Sequence, residues 1–257
     1  MDALLIKPSH SLLVQSRHAE ESTFAINADG FGVGWYSAGV QNPGVYKETR
    51  PAWNDDNLAS LAGHVVSPLF MAHIRAATST VSRTNCHPFS DGRWMFQHNG
   101  VIGDFATIRH DLTALMAPDV FARRTGCTDS ETMFGLCLTA GLEDHPAEAI
   151  ATMIRQVEEA RAHRGISEPF RMTIAVTEGQ HLWAARYGSD DDGPSLYHSA
   201  SQAALQQATS TEERIESAAT IVVSEPLDAC DAHWVPIPPR SLLRAAGDVV
   251  EISPLPI

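Results

Sequence analysis

Hydrophobic positions along the chain follow two periods, and the switches between them mark out its elements. A turn at Asn27-Ala28-Asp29-Gly30 leads into a strand over residues 31–36, where Gly32 and Gly34 suggest close approach of another backbone or of a substrate. Asn54 is placed to cap a short helix carrying Leu58, Leu61 and Val65. Short apolar runs at 69–74 and 93–97 read as strands. Helical spacing then takes over, predicting helices over 104–116, 129–140 and 146–162 that form one covering layer. Alternation returns at 172–176 and 182–187, which form a hairpin through Glu178-Gly179, and again at 220–224. The polar stretch 202–217 is either a surface helix or a loop, and the acidic run Asp190-Asp191-Asp192 reads as a solvated turn. No internal repeat and no Pro/Gly/Ser-rich linker divides the chain, so residues 1–257 are expected to form one domain.

Polar residues cluster at the ends of the apolar runs, an arrangement that converges on a pocket. Arg75 and Thr78 follow the run 69–74, then come Asn85-Cys86-His87-Pro88, and His98-Asn99-Gly100 follows the run 93–97. Arg75 at the end of a buried strand needs a carboxylate, supplied either by an internal ion pair or by a ligand held bidentately. Asn99-Gly100 reads as a tight turn with positive φ, which serves either a hairpin or an oxyanion hole built from an amide side chain and a backbone N–H. Downstream, Thr128-Asp129-Ser130-Glu131 has the pattern of a capping box. Asp129 in the first helical turn either complements the helix dipole or receives an ammonium group. An arginine for a carboxylate and an aspartate for an amine describe an α-amino acid head group.

Composition narrows the class without choosing the chemistry. A formal net charge of −13 argues against nucleic-acid or anionic-membrane partners. No apolar run approaches about 20 residues, and the N-terminus lacks a signal-peptide layout, so a cytoplasmic location is expected. Four cysteines without regular spacing argue against a disulfide framework. Twelve histidines raise the alternative of a zinc hydrolase built on His73, Cys86, His87 and His98. No pair among them has a ligand spacing such as CxxC or HExxH, so no metal and no cofactor is expected.

The segments HIRAAT, NCHPF, HNGVIGDF and TDSE, with HSLLVQS, NADGFGVGWY and SEPLD around them, occur in an order that resembles the glutaminase domain of class II glutamine amidotransferases. The set is most similar to the stand-alone branch that includes γ-glutamyl hydrolases of glutathione and ergothioneine metabolism. Ala76 and Ser79 stand where synthetase-linked members usually carry tryptophan and histidine. The resemblance implies an α+β, αββα four-layer N-terminal-nucleophile hydrolase fold with mostly antiparallel sheets. It also implies a small-molecule substrate, glutamine or a γ-glutamyl compound, and a possible separate synthetase or peptidase partner. By motif, Arg75 matches the arginine that grips the substrate α-carboxylate, with Thr78 supporting it, and Asp129 the carboxylate that receives the α-ammonium. Asn99 and Gly100 match the oxyanion-hole pair. The family nucleophile is a cysteine directly after the initiator methionine, and here Asp2 holds that place. The remaining motifs align as though the first core strand were missing, so a shortened chain is expected in preference to a variant that has lost catalysis. The readings left beside a cysteine hydrolase are a non-catalytic binder of glutamine or γ-glutamyl compounds and, further off, the metal hydrolase. Cys86 beside His87 is the only alternative thiol nucleophile, and a structural role is expected for it, with Cys127 and Cys137 buried and inert.

Overall fold

A computed structural model describes residues 1–22, 24–77, 80–209 and 219–257. Helices α1 (Asp2–Leu5) and α2 (Leu12–Arg17) come first, and Ser11 caps α2 by accepting from Val14 N. Strands β1 (Phe31–Trp35) and β2 (Gly44–Glu48), helix α3 (Asp56–His64) and strand β3 (Phe70–Ile74) follow. The three strands form an antiparallel sheet in the order β2-β1-β3. Its period of two is plain: Phe31 and Val33 face outward onto Leu5, Leu58 and Ala62 of the helices. The cap of α3 is Asp55, whose carboxylate accepts from Leu58 N at 2.9 Å, and Asn54 lies in a preceding 3₁₀ turn. Both residues suit an N-cap, and the apolar spacing alone does not distinguish neighbours one position apart.

A larger sheet is built from β4 (Phe89–Asp91), β5 (Trp94–Ile102), β6 (Phe170–Thr177) and β7 (Leu182–Gly188). Between β5 and β6 the chain forms α4 (Phe105–Ala114), α5 (Pro118–Ala122), α6 (Asp129–Thr139) and α7 (Pro146–Arg164). After β7 come β8 (Tyr197–Ser199), α8 (Gln202–Ala208), β9 (Val222–Val223), β10 (Trp234–Pro236), β11 (Ser241–Ala246) and β12 (Val249–Pro254). The large sheet is antiparallel in the order β12-β11-β7-β6-β5-β4, and β10-β8-β9 make a small third sheet. The stretch 202–217 thus begins as a helix, and its positions from 210 on lie outside the described residues. The strand predicted at 220–224 is limited to two residues. Arg171 pairs with Asp190 and Asp192, and Arg240 with Asp191, so the acidic run is matched by arginines at the strand ends.

Alternation on β5 and β6 separates two unlike layers. Trp94, Phe96, Met172, Ile174 and Val176 face α4, α6 and α7 and pack with Ile108, Leu136, Ile150 and Met153 into the main core. Met95 and Ala175 point the other way and meet Tyr36 and Met71 of the small-sheet side. The Tyr36 hydroxyl lies 2.6 Å from Arg93 O and 3.0 Å from Thr177 O, tying the two halves together. At Gly32 the two halves come close: a Cβ there would sit 2.0 Å from the His87 carbonyl oxygen. The close approach expected at Gly32 and Gly34 is therefore to the 87–88 turn and Met95. The result is helix, sheet, sheet, helix, with mostly antiparallel pairing. Among the described residues no helix is long and apolar enough to cross a membrane.

Candidate active site

Strand β5 carries one half of the site. It stays paired with β6 from Met95 to Ile102, so Asn99 and Gly100 lie opposite Thr173 and Met172 inside a strand. The tight turn expected there does not form, because β6 supplies a continuous partner and the reversal comes later, at the left-handed Asp104. Gly100 has the predicted positive φ, 139°, and a Cβ on it would meet the Arg171 carbonyl oxygen at 2.1 Å. This glycine leaves Asn99, Gly100 and Val101 exposed along the strand.

The start of α6 carries the other half. Thr128 is the N-cap, its hydroxyl accepting from Glu131 N at 3.1 Å. The reciprocal half of the capping box does not form: Glu131 Oε1 accepts instead from Thr125 N and Gly126 N, both at 2.8 Å, and holds the incoming loop. Asp129 is fixed by backbone donors, Ile102 N to Oδ2 at 3.1 Å and Ser130 N to Oδ1 at 2.8 Å. A carboxylate has about four lone-pair directions, so these bonds leave room for a cationic donor. The Ser130 hydroxyl is 2.9 Å from His98 Nδ1, a second tie between α6 and β5.

Arg75 follows β3 and is 6% exposed. Its backbone N–H donates to Gly30 O, its carbonyl accepts from Asp29 N, and Nη2 donates to Thr80 O at 3.4 Å. Asn85 Nδ2 donates to the same carbonyl at 2.9 Å, while its Oδ1 accepts from Cys127 N at 3.1 Å. Arg75, Asn99, Gly100 and Asp129 are thus gathered by a connected set of bonds; Thr78 and Ser79 lie outside the described residues.

Two buried histidines, His87 and His98, and the half-buried His73 underlie this region. His73 and His87 stack with ring centroids 4.2 Å apart, and His87 meets the Phe89 ring edge-on. Burial lowers the pKa of all three: His73 to about 4, His87 well below the ordinary imidazole value, and His98 downward against the opposing pull of Asp129. Cys86 is fully buried, with Sγ 3.5 Å from Glu48 O and from Ser82 O, and burial raises its pKa, a setting for a structural thiol. Cys137 is buried as expected, whereas Cys127 is exposed on the loop before α6, which sets aside the expectation that it is buried. Among the described residues no three His, Cys, Asp or Glu side chains are grouped to hold a metal ion.

Lys47 has no precedent in the sequence patterns. It pairs with Gly32 across β1 and β2, and its ammonium lies 5.0 Å from the centre of the Phe89 ring. Burial draws its pKa down to about 8, against the pull of Cys86 and Glu131. A signal for its inward placement exists only once the Gly32 register is known, because the glycine leaves the space that the lysine stem crosses.

Comparisons with known proteins place the chain in a family. The family model described as class-II glutamine amidotransferases matches residues 8–256. A probable glutamine amidotransferase, DUG3, of Saccharomyces cerevisiae is 30% identical over 98% of this chain and 80% of its own length. A gamma-glutamyl-hercynylcysteine sulfoxide hydrolase of Mycolicibacterium smegmatis is 27% identical over 98% of this chain and 93% of its own. Among solved structures, a glutamine aminotransferase class-II domain protein from Silicibacter pomeroyi superposes with a TM-score of 0.72 at 33% identity, covering 89% of this chain and 92% of that one. The Bacillus subtilis glutamine phosphoribosylpyrophosphate amidotransferase, at 12% identity and a TM-score of 0.58 over 96% of this chain and 45% of that one, shares the fold. This chain belongs to the class II glutamine amidotransferase family.

Proposed function

We propose that the site binds the amino-acid head group of glutamine or of a γ-glutamyl compound and presents its γ-carbonyl for hydrolysis. Arg75 takes the α-carboxylate with Thr78 in support, Asp129 takes the α-ammonium, and the Asn99 side chain with the Gly100 N–H faces the carbonyl oxygen. The observation that carries this reading is the bond from Ile102 N to Asp129 Oδ2, which fixes the ammonium acceptor to the strand that bears Asn99 and Gly100. The relative named as a γ-glutamyl hydrolase supports a γ-glutamyl substrate.

Hydrolysis by the family's route needs a cysteine thiolate, and Cys86 is sealed in the interior with a raised pKa. We assign that step to a cysteine thiolate other than Cys86. Its sulfur attacks the γ-carbon, the oxyanion rests on Asn99 and Gly100, and the C–N bond breaks as the leaving amine takes a proton. Water then attacks the thioester and releases glutamate. The amine product leaves for solvent or for a separate synthetase or peptidase. In this reading residues 1–257 work as one amidotransferase domain that binds these ligands.

Titration calorimetry with L-glutamine and γ-glutamyl dipeptides tests the head-group assignment. Arg75→Ala and Asp129→Ala are expected to weaken binding at least 100-fold, and Asn99→Ala to leave it within about threefold, since an oxyanion contact matters most in the transition state. Equal losses in all three variants would refute the division of roles.

A further inference from the structure

We propose that Asn85 is a positioning residue that sets the spacing between the carboxylate anchor and the ammonium anchor of the site. The inference rests on the head-group reading above and adds a residue with no assigned role in it. Asn85 is 2% exposed, and its amide spans two loops. Nδ2 donates to Thr80 O at 2.9 Å, the carbonyl that also receives Arg75 Nη2. Oδ1 accepts from Cys127 N at 3.1 Å, two residues before Asp129 and next to the cap Thr128. One planar side chain therefore links the loop that steadies the guanidinium to the loop that launches α6.

Few other groups can do this. Glu131 holds the same incoming loop through Thr125 N and Gly126 N and pairs with Arg124, so its bonds stay within residues 124–131. The loop is also packed tightly on Asn85: a Cβ on Gly126 would sit 2.6 Å from Asn85 Oδ1. An amide suits the position because it donates at one end and accepts at the other, matching a carbonyl on one loop and an N–H on the other. Two anchors on one ligand reinforce each other only when their spacing matches the ligand, so a strut of this kind acts on two-point binding more than on either contact alone.

That difference gives a readout which a general structural role would not move. L-glutamine offers both groups; 5-amino-5-oxopentanoate lacks the α-ammonium, and 4-aminobutanamide lacks the α-carboxylate. Ligand-observed NMR titration of the full chain is to compare the three in the wild type, Asn85→Ala and Asn85→Asp. The aspartate variant keeps the shape and the acceptor for Cys127 N but loses the donor to Thr80 O, so it serves if the alanine variant fails to fold. L-Glutamine is expected to weaken at least tenfold in either variant while each one-anchor analogue changes less than twofold. Equal weakening of all three ligands, or unchanged glutamine binding, overturns the role of Asn85 and leaves the head-group reading standing. A wild type with no preference for L-glutamine over the analogues instead rejects the head-group reading, and the strut with it.

Discussion

The two faces of the large sheet differ in kind. The face toward α4, α6 and α7 is packed with large hydrocarbons and aromatics, among them Phe96, Ile150, Met153 and Phe170, each nearly or fully buried. The face toward the small sheet carries Met95 and Ala175, and the elements meeting it bring Gly32, Gly34, His73 and His87. Fully burying a large apolar side chain stabilises a fold by roughly 1.5–3 kcal/mol, so the helix-facing layer supplies most of the cohesion. The inner layer is the more polar of the two, with His73 and His87 stacked there beside the strand that leads into Arg75. Stability and chemistry are divided between two sides of the same strands.

The sharpest break of that division is Phe96→Ala. The Phe96 ring stacks on Phe134 of α6 with centroids 5.4 Å apart, and neither the strand nor the helix can close the gap without breaking β5–β6 pairing. A loss of about 3–5 kcal/mol is expected from urea unfolding. Met95→Ala, one residue along on the inner face, is expected to cost less because its partners there include small side chains. Similar losses for both would remove the contrast between the layers.

Much of the helix-facing layer was legible in the sequence because its signal is local. Apolar residues at helical spacing predicted α4, α6 and α7 within a few residues, and alternation gave the β6–β7 hairpin. The start of α6 was legible for the same reason, Thr128 and Asp129 being adjacent to the pattern they begin. Asn99-Gly100 misled because a positive-φ glycine suits a turn and a kinked strand equally, and only the partner strand about 70 residues away decides between them. The bonding role of Asn85 and the inward placement of Lys47 were illegible in a stronger sense. Asn85 acts on a carbonyl five residues ahead and an N–H 42 residues behind, and Lys47 is drawn inward by a glycine on the neighbouring strand.

Acid separates the layers further. Unfolded histidine titrates near 6.5, whereas burial holds His73 at about 4 and depresses His87 and His98 as well. Between those values the unfolded chain binds protons that the folded chain does not. Stability is therefore full above about pH 6.5 and falls as the pH drops toward 4, by up to about 1.4 kcal/mol per pH unit for each proton. The urea midpoint of the wild type is expected to decline across that window. In His73→Phe, which keeps an aromatic ring against His87, the slope is expected to flatten by about one proton. An unchanged slope would mean that the inner layer opens to water and lets His73 charge in the folded state.

The smallest expected effect lies at the cap of α6. Thr128→Ala removes the acceptor for Glu131 N and is expected to cost about 1 kcal/mol. Ser11→Ala removes the corresponding acceptor for Val14 N at α2, where the bond is longer, 3.4 Å against 3.1 Å, and the loss is expected to be no greater. The two variants differ in what lies downstream. Beyond Ser11 the helix presents Leu12 and Leu13 to the small-sheet core, whereas beyond Thr128 it presents Asp129, held by Ile102 N. Loss of the Thr128 cap frees the first turn of α6 to shift, and Ser130 and Asp129 shift with it. Thr128→Ala is therefore expected to weaken L-glutamine binding several-fold at a stability cost like that of Ser11→Ala, which leaves binding unchanged. If both caps cost the same stability and neither alters binding, the first turn of α6 is held by β5 alone, through Asp129 and His98.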